Sequence, residues 1–427
     1  MAFNCDRQSN RLASSISVLA ITIGLVAAQS ASEKSLAQTS TSINGAGAST
    51  VNTLFVGTGT TAPFSPQGSW LNVYGVGNPP SLNNPAGAVN GPVNSGVTFK
   101  YAPVGSGAGI TAFFTQTPPA GSPTIPSPVS FAATDDPLTG ANVERVATGS
   151  PNGGKAVQVP VVGVGIALAF NAGINEPASG LKLSRITYCG ILNGNITNWS
   201  DARIKADNGG KVVSTLPIKV VVRQDSSGST FVLSNHLDAI CKPSATPGIP
   251  PAYIWNRGVG TTVKWPTTFI KETGGGAVAT RIASTAGTIG YVDSATRLAK
   301  NLPAALLQNK SGSYVGPTTA GIQNALSSGK IVKYGAAPAG RLIRIDNLAD
   351  PTRASAYPIS TVTYVLFYDK YASSTIAAGV RGFVNWALGG TPTSNPTADN
   401  IATARGYAPL PSAIKDASRT VVNTFIP

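Results

Sequence analysis

The segment of this chain with the most evident chemistry is Ile218-Lys-Val-Val-Val-Arg223-Gln-Asp225-Ser226-Ser227-Gly228-Ser229-Thr230-Phe231. Its β-branched run predicts a strand over Ile218 to Val222. Its Asp, Ser and Gly residues predict a short turn, and Leu233, Leu237 and Ile240 mark one face of a following helix. Such an arrangement aims the unpaired N–H groups of the helix's first turn at the carboxyl end of a strand, where α/β sheets bind ligands and where anions are favoured. Ser227 and Ser229 add hydroxyl donors, Gly228 lets backbone approach a ligand closely, and Arg223 supplies a rigid fork matched to an oxyanion. Asp225 either caps the helix or orients Arg223. Without a ligand, the same residues read as an ordinary N-cap after a strand.

Two more Gly/Ser turns share this character: Asn44-Gly-Ala-Gly-Ala-Ser49-Thr50, before a weak helical start, and Val104-Gly-Ser106-Gly-Ala-Gly-Ile110, after a strand ending at Tyr101. Neither fits G-x-G-x-x-G or a P-loop, so each alone is an unspecific signal. Phe131-Ala-Ala-Thr-Asp135-Asp136-Pro137-Leu138 sets carboxylates at a strand end beside these anion-binding turns. The conflict resolves if the anion carries a proton. Phosphate near neutral pH keeps an O–H that a buried carboxylate can accept, whereas sulfate has none and is repelled. The alternative is a plain turn aspartate before proline. His236 raises a Ser-His-Asp hydrolase, but the chain holds no G-x-S-x-G, and His236 falls about two turns into the helix, away from Ser227 and Ser229. It reads as a surface or packing histidine.

The elements that must position these residues alternate between strand-like and helix-like runs, which predicts an α/β architecture. Strands are expected at Val97 to Tyr101, Pro128 to Ala133, Val157 to Val162 and Gly165 to Phe170. Helices are expected at Thr230 to Ile240, Gly276 to Ser284, Thr319 to Ser328 and Ser373 to Leu388. Loops gather in Gly57 to Gly96, Gly149 to Gly154, Ser311 to Pro317 and Gly389 to Pro396, the first long enough to be an elaboration.

Residues 1–37 read as an export signal. Arg7 and Arg11 precede an apolar run from Ile16 to Ala28 that is shorter than the roughly 20 residues of a spanning helix and ends in small residues. Export places the product in the periplasm or cell exterior. The remaining chain exceeds the roughly 250 to 300 residues at which single cores stop growing, so two domains are expected. The formal charge of +14, with only 11% charged residues, favours anionic partners. The basic residues are scattered rather than clustered among aromatics, which argues against nucleic acid. Cys189 and Cys241 remain after processing. A disulfide is the simplest reading of two cysteines in an exported protein, and two buried free thiols are the alternative. With one histidine and no close cysteine pair, no metal and no cofactor are expected.

Taken in order, these segments resemble the periplasmic phosphate-binding proteins of ABC-type phosphate uptake, the PstS family, including the secreted DING branch. The resemblance rests on Gly45-Ala-Gly-Ala-Ser-Thr50, Tyr101-Ala-Pro-Val-Gly-Ser106-Gly-Ala-Gly, Phe131-Ala-Ala-Thr-Asp135-Asp-Pro-Leu138, Arg223-Gln-Asp-Ser-Ser-Gly-Ser-Thr-Phe231 and Val263-Lys-Trp-Pro266. Gly287-Thr-Ile-Gly-Tyr-Val292, Tyr357-Pro-Ile-Ser-Thr361 and Gly406-Tyr-Ala-Pro-Leu-Pro411 complete it.

It implies a two-domain periplasmic-binding-protein fold, the type II venus flytrap with a hinge. Domain I would comprise residues 40–160 and 313–427, and domain II residues 161–312. Inorganic phosphate would bind in the cleft for delivery to a membrane ABC phosphate permease, by a monomer that is not an enzyme. By position, Ser49, Thr50 and Ser106 would bind through two loops, and Asp135 would accept the ligand's proton. Arg223 would meet phosphate charge, Asp225 would hold Arg223, and Ser227, Gly228 and Ser229 would donate from the helix start. Cys189 and Cys241 resemble a cysteine pair of the DING branch. The chain departs from the family in having Thr50 in place of a frequent aromatic, Ser226 in place of glycine and Ser229 in place of threonine. The rival readings are a secreted phosphatase or phosphoesterase using the same cradle, and a surface-associated adhesion or matrix protein.

Overall fold

The computed structural model describes residues 41–75, 96–119, 125–148, 153–171, 177, 179–336, 339–389 and 397–426. The expected export signal and residues 76–95 of the Gly57 to Gly96 stretch lie outside the described residues.

The chain opens with β1 (Thr41–Gly47), β2 (Val97–Ala102), α1 (Ser106–Thr115), β3 (Phe131–Thr134) and the long β4 (Gly154–Phe170). Then come α2 (Arg185–Leu192), β5 (Lys219–Arg223), α3 (Gly228–Ile240), β6 (Ile270–Glu272), α4 (Gly275–Ser284) and β7 (Thr288–Asp293). The return passage supplies α5 (Thr319–Leu326), the hairpin β8 (Lys330–Ala336) and β9 (Ala339–Asp346), β10 (Ser360–Tyr368), α6 (Ser374–Ala387) and α7 (Ser412–Phe425). The architecture is mixed α/β. All four expected helices form within two residues of their anticipated ends.

The principal sheet runs β2-β1-β3-β10-β4-β7-β5-β6. β1 pairs parallel with β2 and β3, and β7, β5 and β6 are parallel among themselves. Antiparallel β10 and β4 separate these two parallel groups. Buried parallel strands between helices account for the near-continuous apolar runs in β5 and β7.

Strand β4 departs from expectation. The sequence suggests two strands, Val157 to Val162 and Gly165 to Phe170, but the structure joins them into one 17-residue strand. Its first part pairs with β10 and its last, from Ile166 to Phe170, with β7. Gly163 and Gly165, which look like breakers, instead admit α5. A β-carbon at Gly163 would lie 2.5 Å from Leu326 Cδ1, and one at Gly165 would lie 2.8 Å from Ile322 Cδ1. One strand therefore carries both halves of the sheet.

The Gly-rich turn expected over Asn44 to Thr50 is likewise mostly strand, with only its end in a turn. Gly45 is there for packing, since a β-carbon on it would lie 2.2 Å from Phe131 Cζ. The stretch from Gly57, expected to be loop, contains the short helix Trp70–Tyr74. Its Trp70 and Tyr74 are buried with Phe55, Phe99, Phe383 and Trp386 in an aromatic cluster under β1 and β2. Burial of rings of this size outweighs weak local periodicity. On the other half of the sheet, Cys189 of α2 is bonded to Cys241 at the end of α3. No helix of the described residues is long and apolar enough to cross a membrane.

Candidate anion-binding site

Arg223 is the last residue of β5, and Ser227 caps α3 four residues later, its hydroxyl accepting the Thr230 N–H at 3.4 Å. The intervening turn folds back so that Asp225 faces the guanidinium. Arg223 Nε donates to Asp225 Oδ1 at 2.6 Å, and Nη2 donates to Oδ2. The remaining edge is free to reach outward, and Nη1 donates to Ser49 Oγ at 3.1 Å. Asp225 also accepts the Gly274 N–H at 3.0 Å. Burial pushes the Asp225 carboxyl up, but the hydrogen bonds and charge of Arg223, with the Gly274 amide, outweigh it and hold the group below its usual value. Tyr291 braces the turn from β7, its hydroxyl accepting the Arg223 N–H at 3.0 Å and lying 2.6 Å from Thr230 Oγ1.

Asp135 stands at the end of β3, 1% exposed. Thr50 Oγ1 donates to its carboxylate, 2.9 Å from each oxygen, and Thr363 Oγ1 donates to Oδ1 at 2.6 Å. The Asp135 N–H donates to Ser106 Oγ at 3.3 Å, at the start of α1. Burial pushes the Asp135 carboxyl up to about 6, against the lowering effect of the two threonine hydroxyls and the Arg223 charge. Burial, and then the charge of Asp135, lift neighbouring Asp136 to about 7.

The two clusters meet at Gly228. A β-carbon built on it would lie 2.4 Å from Ser106 Oγ and 2.6 Å from Asp135 Oδ2. Near this contact stand the Arg223 fork, the hydroxyls of Ser49 and Ser106, the leading N–H groups of α3 with Ser227 and Ser229 at its start, and two buried carboxylates, Asp135 and Asp293. Many donors set against few carboxylate acceptors suit an oxyanion that retains a proton. One cleft reaches the cluster at Asp135, lined also by Phe231, Asn235, Arg344 and Tyr364. Another reaches it at Ser49, lined by Thr58, Gly274, Gly275 and Lys300.

The residues singled out in the sequence therefore converge. Ser49 and Asp225 join Arg223. Thr50, Ser106 and Gly228 join Asp135. Ser227 and Ser229 are buried in and before the first turn of α3. Thr50 differs in detail, because its hydroxyl is turned to Asp135. Sequence reasoning misses Thr363, Tyr291 and Asp293. Burial pushes Asp293 up to about 6, with the Asp135 charge adding to the rise and bonds from Thr296 opposing it. A β-carbon on Gly275 would lie 3.8 Å from its Oδ2 and 3.8 Å from Arg223 Nη1, so it borders the same space. The available signal was a polar residue within or at the end of an otherwise apolar strand, as for Thr363 in β10 and Asp293 in β7.

His236 is buried and engaged at both ring nitrogens, with Nε2 3.1 Å from Tyr188 Oη and Nδ1 2.6 Å from the Ala349 carbonyl. Burial pushes it down to about 4, so it is neutral. Among the described residues, no group of three or more His, Cys, Asp and Glu side chains could hold a metal ion.

A family model described as a PBP superfamily domain matches residues 32–391. Phosphate-binding protein PstS 3 of Mycobacterium leprae (strain TN) is 27% identical over 333 residues, 77% of this chain and 80% of that protein. The crystal structure of a phosphate-binding protein from Stenotrophomonas maltophilia superposes with a TM-score of 0.61 at 24% identity, covering 89% of this chain and 94% of that one. A high-affinity periplasmic phosphate-binding protein, PfluDING, solved with phosphate, gives 0.60 at 24% identity over 89% and 93%. At these identities the structural likeness is one of fold.

Proposed function

The chain belongs to the PBP superfamily, and from that premise we propose that it binds inorganic phosphate outside the cytoplasm for delivery to a membrane ABC-type phosphate importer. The observation that carries this reading is the buried Asp135 carboxylate set against the donor-rich start of α3. An anion with no proton would meet that carboxylate as an uncompensated negative charge, while phosphate offers it an O–H. Relatives named phosphate-binding protein PstS support the same ligand.

In this reading Ser49, the Thr50 backbone, Ser106, Arg223, Ser227, Gly228 and Ser229 donate to the anion, Asp135 accepts its proton and Asp225 orients Arg223. We take residues 40–160 with 313–427 as one domain and 161–312 as the other. The change of partner along β4, from β10 to β7 near Gly165, supports that division. Closure of the two over the ligand would present a distinct form to a permease. His236 serves packing, since both its ring nitrogens are engaged, and this supports capture without chemistry.

Calorimetric titration with phosphate and with sulfate tests the proposal. One-to-one binding of phosphate with no response to sulfate, weakened by Asp135→Asn and by Arg223→Ala, is expected. Turnover of a phosphomonoester by the purified protein, or failure to bind either anion, would overturn it.

A further inference from the structure

Asp135 is held from two directions by residues far from it in sequence. Thr50 Oγ1 straddles both carboxylate oxygens at 2.9 Å, and Thr363 Oγ1 is 2.6 Å from Oδ1. Both threonines are essentially inaccessible to solvent. Thr363 reaches Asp135 in the regular register of β10 with β3, while β10 breaks register with β4 on its other edge. Along β10, Thr363 lies opposite Val162 of β4, but the next residue, Tyr364, lies opposite Pro160. On its other side Tyr364 pairs with Thr134, so Thr363 comes level with Asp135 just beyond the end of β3.

A carboxylate offers about four lone-pair positions. The threonines occupy Oδ1 and the space between the oxygens, which leaves Oδ2 facing Gly228 and the head of α3. Resting on the phosphate-binding reading above, we propose that Thr50 and Thr363 are specificity-determining positioning residues that hold Asp135 as a proton acceptor, with Oδ2 alone presented to the anion. Two donated hydrogen bonds favour the ionised carboxylate. Without them Asp135 would keep its own proton, become a donor, and tolerate an oxyanion that has no O–H. The other ionisable groups that act on Asp135 are Arg223 at the end of β5, Tyr101 on β2, Asp136 next in the chain and Asp293 at the end of β7. None of them is altered by changing Thr363.

Thr363→Val keeps the β-branch and the volume of the side chain but deletes the hydroxyl, and Thr363→Ser keeps the hydroxyl. Phosphate and sulfate affinities of the purified protein and both variants, measured from pH 5 to 8.5, test the proposal. In Thr363→Val, phosphate affinity at pH 7 should fall by about tenfold or more, as expected for a hydrogen bond to a charged group. The acid limb of its pH profile should move up by about one unit. Sulfate binding should appear on the acid side, and Thr363→Ser should restore the original behaviour. A uniform loss at every pH with the phosphate-to-sulfate ratio unchanged would mean a packing role only and would overturn the proposal. The Asp135 carboxyl titration, followed by carbon NMR without ligand, separates this from the functional reading. If the unaltered protein binds no phosphate, that reading falls, and a titration midpoint unmoved by Thr363→Val overturns the threonine role independently.

Discussion

Gly228 and Asp135 touch across the junction of the two parallel strand groups, with Asp135 Oδ2 2.6 Å from where a Gly228 β-carbon would be. The start of α3 and the Asp135 carboxylate therefore share one small space, and glycine is the residue that permits it. Gly228→Ala should fold normally, because alanine is the better helix residue by about 1 kcal/mol. The added methyl group should nevertheless hold the two faces apart and lower phosphate affinity ten- to a hundredfold, the range of a roughly 1–3 kcal/mol overpacking penalty. Calorimetry, with circular dichroism as the folding control, checks both halves of this expectation.

The raised Asp135 carboxyl links stability to pH with a definite sign. Its value of about 6 in the folded protein, above the 3.8 of a free side chain, means that the folded state holds a proton the unfolded chain has released. The stabilising effect is complete below about pH 4 and is lost as the pH rises through about 6. Asp135→Asn removes this dependence. In urea titrations of ligand-free protein, the variant should gain on the unaltered chain across that window, by up to about 3 kcal/mol at pH 7.

Arg223 shares its guanidinium between Asp225 and Ser49, which needs a planar fork. Arg223→Lys keeps the charge but loses the planar fork that meets both Asp225 oxygens while a separate edge reaches Ser49. Phosphate binding should weaken by at least tenfold, and Arg223→Ala should weaken it further by stranding Asp225. Titration of both variants in one buffer ranks them. Equal affinity of the lysine variant and the unaltered protein would contradict the geometry.

The Cys189–Cys241 bond closes a 52-residue separation between α2 and the end of α3. On the chain-entropy account, opening it by Cys189→Ser with Cys241→Ser should lower stability by about 4 kcal/mol. The site lies at the opposite end of α3, so phosphate affinity should change by less than about threefold. Denaturant midpoints and calorimetry on the same preparation test the two statements separately.

Much of the site was legible because its parts are local. Arg223, Asp225, Ser227 and Gly228 lie within one strand, turn and helix start, and residue type there dictates both structure and chemistry. Asp135 was legible from its place at a strand end among Gly/Ser turns. Strand β4 was not, because Gly163 and Gly165 break its local pattern, and only the packing of Leu326 and Ile322 against them shows why they are glycines. The helix at Trp70 was equally hidden, since it is held by aromatic partners more than 300 residues away in the chain.

By itself, then, the sequence determined the α/β character, four of the helices and the strand–turn–helix that carries Arg223 and Gly228, all of which follow from short-range propensity and side-chain chemistry. The tertiary structure decided what holds the Asp135 carboxylate. Thr50 is 85 residues from Asp135 and Thr363 is 228 residues from it. Contacts over such separations leave no local mark, because they exist only once β1 and β10 have each paired with β3 in a particular register.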